Sequence, residues 1–295
     1  MYDDVINGFA DYLHNTKKAS SNTVSSYQRD LRKYCSYLEE RGIKNCRDTN
    51  GDDLKEYIEY LKSKGFSDST VSRNIASLRS FYGYLLNSEQ ASIEITAQIK
   101  APKVEKKVPD ILSVEEVERL LSQPSTGKPK HLRDKAMLEL MYATGIRVTE
   151  LISLKLSDLH LKGSYITCKF DNRQRVIPFG SQAKKALENY LNYARPALVN
   201  DVNMHLLFTN CNGGEMSRQG FWKLIKAYAA QAKIQTEITP HTLRHSFAVH
   251  LIENGAEIHA VSEMLGHSDI SSTKVYVNMN NNRIRKIYES AHPRK

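Results

Sequence analysis

The spacing of apolar residues in the first 87 positions constrains the fold of this chain more than any other feature. Apolar side chains recur there at intervals of three and four, the period that places them on one face of an α-helix. Four such stretches, separated by short polar segments, carry Val5, Phe9 and Leu13, then Tyr27, Leu31 and Leu38, then Leu54, Ile58 and Leu61, and last Ile75, Leu78 and Leu85. Four amphipathic helices with short connections predict a compact helical bundle.

The helical spacing fades across residues 89–109. The sequence AQIKAPKVEKKVP at its end has two prolines and four lysines, and residues before proline favour extended backbone. We interpret this stretch as an interdomain linker, although a surface loop would have the same composition. The predicted organisation is therefore a helical domain over residues 1–88, a linker over 89–109 and a second domain over 110–295.

The second domain has a mixed pattern. Two short strand candidates, residues 164–170 and 175–179, are joined by the polar turn Asp171-Asn172. Helical patterns occupy much of the remainder, including the stretches around residues 183–194, 221–232, 242–253 and 260–265. The chain as a whole is predicted to be mainly α-helical with a small β-sheet.

The charge of the chain is unevenly distributed. Of 295 residues, 42 are Lys or Arg and 33 are Asp or Glu, which gives a formal net charge of +9. The part through Pro109 contains 17 basic and 15 acidic residues, so most of the excess follows it. Excess positive charge favours a polyanionic partner such as nucleic acid, although a basic protein without such a partner would have the same composition.

Other features of the sequence bear on the compartment. No stretch approaches 18 consecutive apolar residues, so we expect no transmembrane helix and no membrane partner. The acidic, amphipathic start of the chain differs from a secretory signal peptide. The cysteines are scattered without a Cys-x-x-Cys pair, which argues against a zinc ribbon or a disulfide framework and predicts a cytoplasmic protein. They are Cys35, Cys46, Cys168 and Cys211.

The segment around His241 predicts a helix start that binds an anion. Thr239 is a suitable helix N-cap and Pro240 suits the first helical position. His241 then lies in the first turn, where the positive helix end favours an anion and a neutral imidazole that can accept a proton. Arg244 follows on the same face and can bind two phosphate oxygens. A solvated helix face is the alternative, and a metal site with His245 lacks a clear carboxylate ligand.

Two further segments carry residues suited to phosphate chemistry. Arg147 and Glu150 follow the end of a predicted helix and form either a buried ion pair or a second phosphate-binding arginine oriented by its carboxylate. His267 lies just beyond a predicted helix end, and Tyr276 follows nine residues later. A tyrosine hydroxyl, with a pKa of about 10, is a nucleophile only beside a base or cations, and any one of the 16 tyrosines is more often structural.

Together, these motifs carry a family resemblance. ATGIRVTEL, then HTLRH, then LGH followed by tyrosine, in this order and spacing, resemble the tyrosine (integrase-type) site-specific recombinases. Near its end, the sequence also contains His292-Pro293-Arg294, similar to the tails of the Xer branch. The resemblance covers essentially the whole chain and implies an N-terminal core-binding bundle, a linker and a mixed α/β catalytic domain.

The resemblance also implies roles for individual residues. A tyrosine would attack the scissile phosphate and form a 3′-phosphotyrosyl intermediate, which the 5′-hydroxyl of a partner strand then attacks. Because the ester conserves the bond energy, no cofactor, neither ATP nor a metal, is implied. The implied nucleophile is Tyr276, the phosphate-binding residues are Arg147, Arg244 and His267, the general base is His241, and the supporting carboxylate is Glu150.

The predicted hairpin departs from the family pattern. The family's general acid is a lysine in the hairpin turn, and this chain reads CKFDNRQRVIPFG there. Alignment on Arg175 and Pro178 places Phe170 at the lysine position and Lys169 one residue short. We predict Lys169 as the general acid, with Arg173 as the substitute. A second departure is Val277-Asn278 after the tyrosine, where the family commonly has Thr-His.

DNA contacts and assembly are the last expectations. Basic residues on the first-domain helices are predicted to contact phosphates, although a protein-interaction bundle would carry similar charges. The candidates there are Arg29, Arg32, Lys33, Arg73 and Arg79, with Lys103 in the linker and Arg173 in the hairpin. The resemblance implies a double-stranded recombination site bound by four subunits on two duplexes, alike or with a second recombinase. A C-terminal helix would be exchanged between subunits.

Several functions remain open at this point. The first is strand exchange, either in chromosome or plasmid dimer resolution, hence chromosome partition and cell division, or in mobile-element integration and excision. A type IB topoisomerase-like enzyme would use the same chemistry without exchange. The hairpin departure favours a DNA-binding protein with an impaired catalytic site. A metal-dependent hydrolase built on His241, His245 and His267 is the most distant alternative.

Overall fold

The computed structural model describes residues 2–88, 95–97, 99–103, 109–125, 127–170, 173–199, 201 and 203–266. By their internal contacts, the residues form two units, Met1–Lys106 and Lys107–Lys295. Within the described ranges, no helix is both long enough and apolar enough to cross a membrane.

The first unit is the predicted four-helix bundle. Its helices are α1 (Tyr2–Asn15), α2 (Ser21–Glu40), α3 (Gly51–Ser63) and α4 (Asp68–Asn87). Side chains of Ser20, Asn50 and Ser67 cap the starts of the last three, each accepting a hydrogen bond from a backbone N–H of the first turn. The apolar faces meet in one core, in which Phe9 and Leu31 are fully buried. The spacing of apolar residues therefore produces the bundle.

Part of the stretch interpreted as a linker packs on the first unit. Ile99 lies in the core of the bundle. Arg79 of α4 donates to the carbonyl oxygen of Ile99, and Ser72 donates to that of Pro102 at 3.2 Å. The chain thus continues along α4 after the helix itself has ended.

The second unit confirms the mixed pattern. Its helices are α5 (Val114–Ser122), α6 (Pro129–Thr144), α7 (Val148–Ser153), α8 (Ser181–Asn189), α9 (Arg195–Leu198), α10 (Arg218–Gln231), α11 (Pro240–Glu253) and α12 (Ile258–Leu265). A π-helical turn at Tyr190–Ala194 joins α8 to α9, so the single helix predicted around residues 183–194 is interrupted. Helix α6 is central, because Met137, Leu138 and Leu140 on it are all fully buried.

A small antiparallel sheet lies beside these helices. Its strands are β1 (Leu159–His160), β2 (Tyr165–Phe170) and β3 (Arg173–Pro178), in that order. Strand β1, of two residues, was not expected from the sequence because it is too short to show alternation. In the β2–β3 register, Cys168 pairs with Arg175 and Lys169 pairs with Gln174. The predicted fold class, mainly α-helical with a small sheet, is confirmed.

A buried polar network ties α6 to α10. Arg133 and Asp134, 2% and 0% exposed, form an ion pair with N–O distances of 2.7 and 3.0 Å. The hydroxyl of Tyr228 donates to the other carboxylate oxygen of Asp134 at 2.8 Å, and Arg133 also donates to the carbonyl oxygen of Thr209. Each charge is thereby compensated, which a charge in the protein interior requires.

Candidate active site

The site is built on the ends of two helices. Gly145 ends α6 and Gly266 ends α12, both in the left-handed conformation with φ of 58° and 63°. A Cβ at Gly145 would lie 2.3 Å from Cδ1 of Phe247, and one at Gly266 would lie 2.8 Å from Nη1 of Arg175. Both positions therefore require glycine, and both present backbone carbonyl oxygens to arginine side chains.

Arg244 is held between these two helix ends. It lies on α11, is 4% exposed, and donates to the carbonyl oxygen of Gly145 and, at 2.7 Å, to that of Leu265. The last carbonyls of a helix carry its negative dipole end and lack partners within the helix. A buried guanidinium satisfies them and is itself compensated.

Arg147 reaches the same place from the start of α7. Its Nη2 donates to the carbonyl oxygen of Gly266 at 2.8 Å, and its Nη1 lies 3.4 Å from Oε1 of Glu150. The backbone N–H of Arg147, the N-cap residue, donates to the other carboxylate oxygen at 2.9 Å, so Glu150 caps the start of its own helix. Because Leu265 and Gly266 are adjacent, their carbonyls bring the two sequence-predicted arginines together.

Glu150 has a second cationic partner, Arg175, whose place in the site the sequence motifs do not indicate. Arg175 of β3 binds both carboxylate oxygens at 2.8 Å each and donates from Nε to the carbonyl oxygen of Met264 at 2.9 Å. Burial alone would raise the pKa of Glu150, but the hydrogen bonds and charges of Arg175 and Arg147 outweigh it and lower that pKa. The carboxylate is therefore ionised at neutral pH.

The signal for Arg175 was present in the strand pattern. Arg175 stands opposite the buried Cys168 in an alternating strand, so it is a charged residue at an inward-facing position. A charge placed there needs a buried counter-charge, which Glu150 supplies.

Three consecutive carbonyls at the end of α12 each accept a hydrogen bond from a different arginine. Met264 accepts from Arg175, Leu265 from Arg244, and Gly266 from Arg147. We call these three backbone groups the α12 carbonyl triplet. One turn of backbone thus sets the positions of three guanidinium groups.

His241 lies beside the two phosphate-binding candidates. It is exposed in the first turn of α11, which Thr239 caps as predicted. The surrounding protein still removes part of the water around the imidazole ring, and this desolvation is the largest cause that lowers the pKa of His241. The positive charges of Arg244 and Arg147 lower that pKa further. His245, one turn on, has a pKa lowered to about 4, chiefly by burial. A neutral imidazole that accepts a proton is therefore available at His241 near neutral pH.

Lys169 occupies the hairpin but not the face that carries Arg175. It follows the buried Cys168 in β2, pairs with Gln174 and is exposed. It lines a cleft of about 410 Å³ that Glu150 also lines, together with Lys155 and other residues. Lys169 thus shares a cleft with Glu150, and its side chain lies on the outer side of the sheet.

Several predicted site residues remain. His267, Tyr276 and the hairpin turn lie outside the described residues, as does the side chain of Arg173.

In the first unit, Arg29, Arg32 and Lys103 are exposed. Arg73 is bound by both oxygens of the buried Asp30, Arg79 by a backbone carbonyl, and the Lys33 ammonium lies 4.0 Å from the ring centre of Phe66. In the described part of the chain, no cluster of three or more His, Cys, Asp or Glu could hold a metal ion.

Known proteins match the chain over its length. Residues 6–89 match the family model "Phage integrase, N-terminal SAM-like domain", and residues 110–283 match the "Phage integrase family". A protein named Tyrosine recombinase XerD from Oceanobacillus iheyensis is 44% identical, with 100% of both chains covered. One of the same name from Listeria monocytogenes is 42% identical, with 99% of both covered. A solved structure, of the XerH site-specific recombinase bound to palindromic difH substrate, has a TM-score of 0.76 at 21% identity, covering 94% of this chain and 81% of that one.

Proposed function

The chain belongs to the phage integrase family of tyrosine recombinases, and from this premise we propose how its own residues carry out the reaction. It is an Xer-like site-specific recombinase, an enzyme that breaks and rejoins strands of DNA. The resemblance that its motifs carry is thereby confirmed. The assignment of individual residues, the assembly and the biological setting are proposals.

The main support for this proposal is that the side chains of Arg147 and Arg244 bind adjacent backbone carbonyls, those of Gly266 and Leu265. Two guanidinium groups held at neighbouring backbone positions form a preorganised site for the two non-bridging oxygens of one phosphodiester. Charge develops on these oxygens when the phosphate is attacked, and fixed cations stabilise it without reorganisation. The lowered pKa of His241 supports the same arrangement, because both arginine charges contribute to it.

The cleavage step conserves bonds and protons. The hydroxyl oxygen of Tyr276 attacks the scissile phosphorus, its proton passes to His241, and the bond from phosphorus to the 5′-oxygen breaks. His267 donates a hydrogen bond to the phosphate, and the product is a 3′-phosphotyrosyl ester with a free 5′-hydroxyl. Attack by the 5′-hydroxyl of a partner strand reverses each step. No atom changes its oxidation state, and the phosphotyrosyl ester conserves the energy of the phosphodiester bond that is broken.

Lys169 is the proposed general acid for the departing 5′-oxygen, with Arg173 as the alternative donor. Its support is its position in the hairpin, in the cleft that Glu150 also lines. A 5′-bridging phosphorothiolate tests this role, because a thiolate leaves without protonation. Lys169→Ala should slow cleavage of the normal substrate and leave the thiolate substrate fast. An equal loss on both substrates would assign the role elsewhere. The matched control is Gln174→Ala, at the exposed position paired with Lys169, which should slow cleavage of neither substrate.

DNA is the partner in this scheme, and the finer contacts are proposed from exposure and charge. The exposed Arg29 and Arg32 on α2 and the exposed Lys103 are candidates for phosphate contacts. Arg173 is a candidate from its charge and its place in the hairpin sequence. Lys33, Arg73 and Arg79 would have to exchange or share their protein partners. The assembly proposed is a tetramer on two duplexes, of this chain alone or with a second recombinase, with exchange of C-terminal helices. The free thiols of the chain fit a reducing compartment such as the cytoplasm.

The decisive test is covalent trapping on a nicked duplex, from which the cleaved fragment diffuses away. The wild-type protein should accumulate a protein–DNA species that resists denaturation, and Tyr276→Phe should form none. Trapping by Tyr276→Phe would contradict the nucleophile assignment. DNA binding without trapping by the wild type would favour a DNA-binding protein with an impaired catalytic site. Relaxation of supercoils without strand exchange would favour the topoisomerase-like alternative.

A further inference from the structure

Arg175 has a place in the site that none of the proposed chemical roles uses. It lies on the inner face of β3, is half-buried, and connects three elements of the second unit. It binds Glu150 at the start of α7 through two hydrogen bonds of 2.8 Å and the end of α12 through the carbonyl of Met264. We propose that Arg175 is a positioning residue for DNA cleavage, which holds Glu150 and the end of α12 so that Arg147 and Arg244 bind one phosphate together. This inference rests on the proposed function.

The first step of the argument concerns Glu150, which two arginines share. Arg175 engages both carboxylate oxygens at short distance, while the side chain of Arg147 contacts one of them at 3.4 Å. A bidentate pair of this kind fixes orientation as well as charge. Without Arg175, the buried carboxylate would draw the Arg147 side chain closer, because an uncompensated buried charge is unfavourable. Arg147 would then move towards Glu150 and away from the carbonyl of Gly266.

The second step concerns the α12 carbonyl triplet. Arg175 binds its first carbonyl, and the phosphate-binding arginines bind the next two. The Arg175 guanidinium also packs against Gly266, where a Cβ would meet it at 2.8 Å. A shift of this last turn would displace the carbonyls that hold Arg147 and Arg244. Arg175 therefore acts on both arginines through the backbone as well as on one through Glu150.

The test compares two variants with a control from the same strand. Arg175→Met removes the charge, and Arg175→Lys retains a cation that can compensate Glu150 but cannot bind bidentately. The control is Gln174→Met, because Gln174 is exposed on the opposite face of β3. Each protein is titrated with intact duplex and is then followed in single-turnover cleavage at saturating nicked DNA. Thermal melting identifies a variant that does not fold.

We expect Arg175→Lys and Arg175→Met to bind DNA as the wild type does and to cleave it roughly 10- to 100-fold more slowly, the loss typical of a misplaced active-site group. Gln174→Met should cleave at the wild-type rate. Wild-type rates in both arginine variants, or a loss of DNA affinity that accounts for the whole defect, would overturn the inference. If Arg175→Met does not fold, Arg175→Lys alone decides.

A neutral substrate separates positioning from a structural role. A methylphosphonate at the scissile position lacks one charged non-bridging oxygen, so its cleavage depends less on correctly placed arginines. The ratio of wild-type to Arg175→Lys rates should therefore be smaller on the methylphosphonate than on the phosphate. An unchanged ratio would indicate a general structural effect and would overturn the inference. Failure of the proposed function would instead appear as trapping by Tyr276→Phe, whatever the Arg175 variants do.

Discussion

Replacing Gly145 by alanine tests whether the end of α6 is as constrained as its contacts indicate. The residue has φ of 58°, and an added Cβ would lie 2.3 and 2.6 Å from two ring carbons of Phe247 and 2.9 Å from a methyl carbon of Leu265. Two costs therefore combine. The left-handed conformation costs an alanine about 1–2 kcal/mol, and displacement of well-packed side chains costs about 1–3 kcal/mol. Gly145→Ala should destabilise the second unit by about 2–5 kcal/mol.

Gly127 provides the matched control. It has nearly the same backbone conformation, with φ of 65°, and nothing lies within 4 Å of its added Cβ. Gly127→Ala should therefore incur the conformational cost alone, about 1–2 kcal/mol. The difference between the two variants isolates the steric cost of the contacts with Phe247 and Leu265. A compensating Phe247→Leu substitution should recover part of the loss in Gly145→Ala and none in Gly127→Ala.

Tryptophan fluorescence during thermal unfolding measures this difference. The chain has a single tryptophan, Trp222 on α10, so the signal reports on the second unit. For a unit of this size, each kcal/mol corresponds to a shift in Tm of about 2–4 °C. Gly145→Ala should lower Tm clearly further than Gly127→Ala, and it should also slow cleavage, since Gly145 holds Arg244. Equal Tm shifts for the two alanine variants would refute the steric argument.

The remaining predictions concern pH, a buried ion pair and a helix interior. The usual pKa of histidine is near 6.5, and because the pKa of His241 is lowered, its imidazole should stay neutral down to that pH. Cleavage rates in single-turnover assays should therefore be constant from pH 8 to 6.5 and fall only below pH 6.5. An inflection above pH 6.5 would contradict this assignment. Asp134→Asn leaves buried Arg133 without its counter-charge and should destabilise the second unit by about 3–5 kcal/mol, read from Trp fluorescence in urea. Gly83 lies inside α4, and a Cβ added there would meet no atom within 4 Å. Gly83→Ala should therefore stabilise the first unit by about 0.5–1 kcal/mol, measured as slower amide exchange in α4. Unchanged exchange would show that an alanine is strained at this position.

The bundle could be predicted from the sequence because its information is local. The three-and-four spacing, the polar caps and the short connections each act within a few residues, and they agree on α1 to α4. Strand β1 could not be predicted, because two residues show no alternation and owe their conformation to pairing with β2. The π-helical turn at Tyr190–Ala194 could not be predicted either, because only the four residues of α9 follow it, too few to show a shift in the apolar spacing.

The active site also has a part that could be predicted from local sequence and a part that could not. His241 and Arg244 lie in one helix, so cap and spacing predict their placement on α11. The meeting of Arg147 with Arg244 depends on the ends of α6 and α12, which are far apart in sequence, and only the family resemblance implied it. The sequence does not identify Arg175 as a partner of Glu150, because a charge at an inward-facing position indicates the need for a counter-charge but not where that charge lies.

The α12 carbonyl triplet has a consequence for how this enzyme can vary. Its hydrogen-bond acceptors belong to the main chain, so exchange of the side chains at Met264 or Leu265 leaves the acceptors themselves in place. Within this helix, therefore, substitution of side chains should leave the arginines aligned, and only a change that unwinds the last turn should disturb them. Gly266 is the exception, because it must keep its left-handed backbone and its contact with Arg175. The alignment of three cations thus depends on the persistence of a single helical turn.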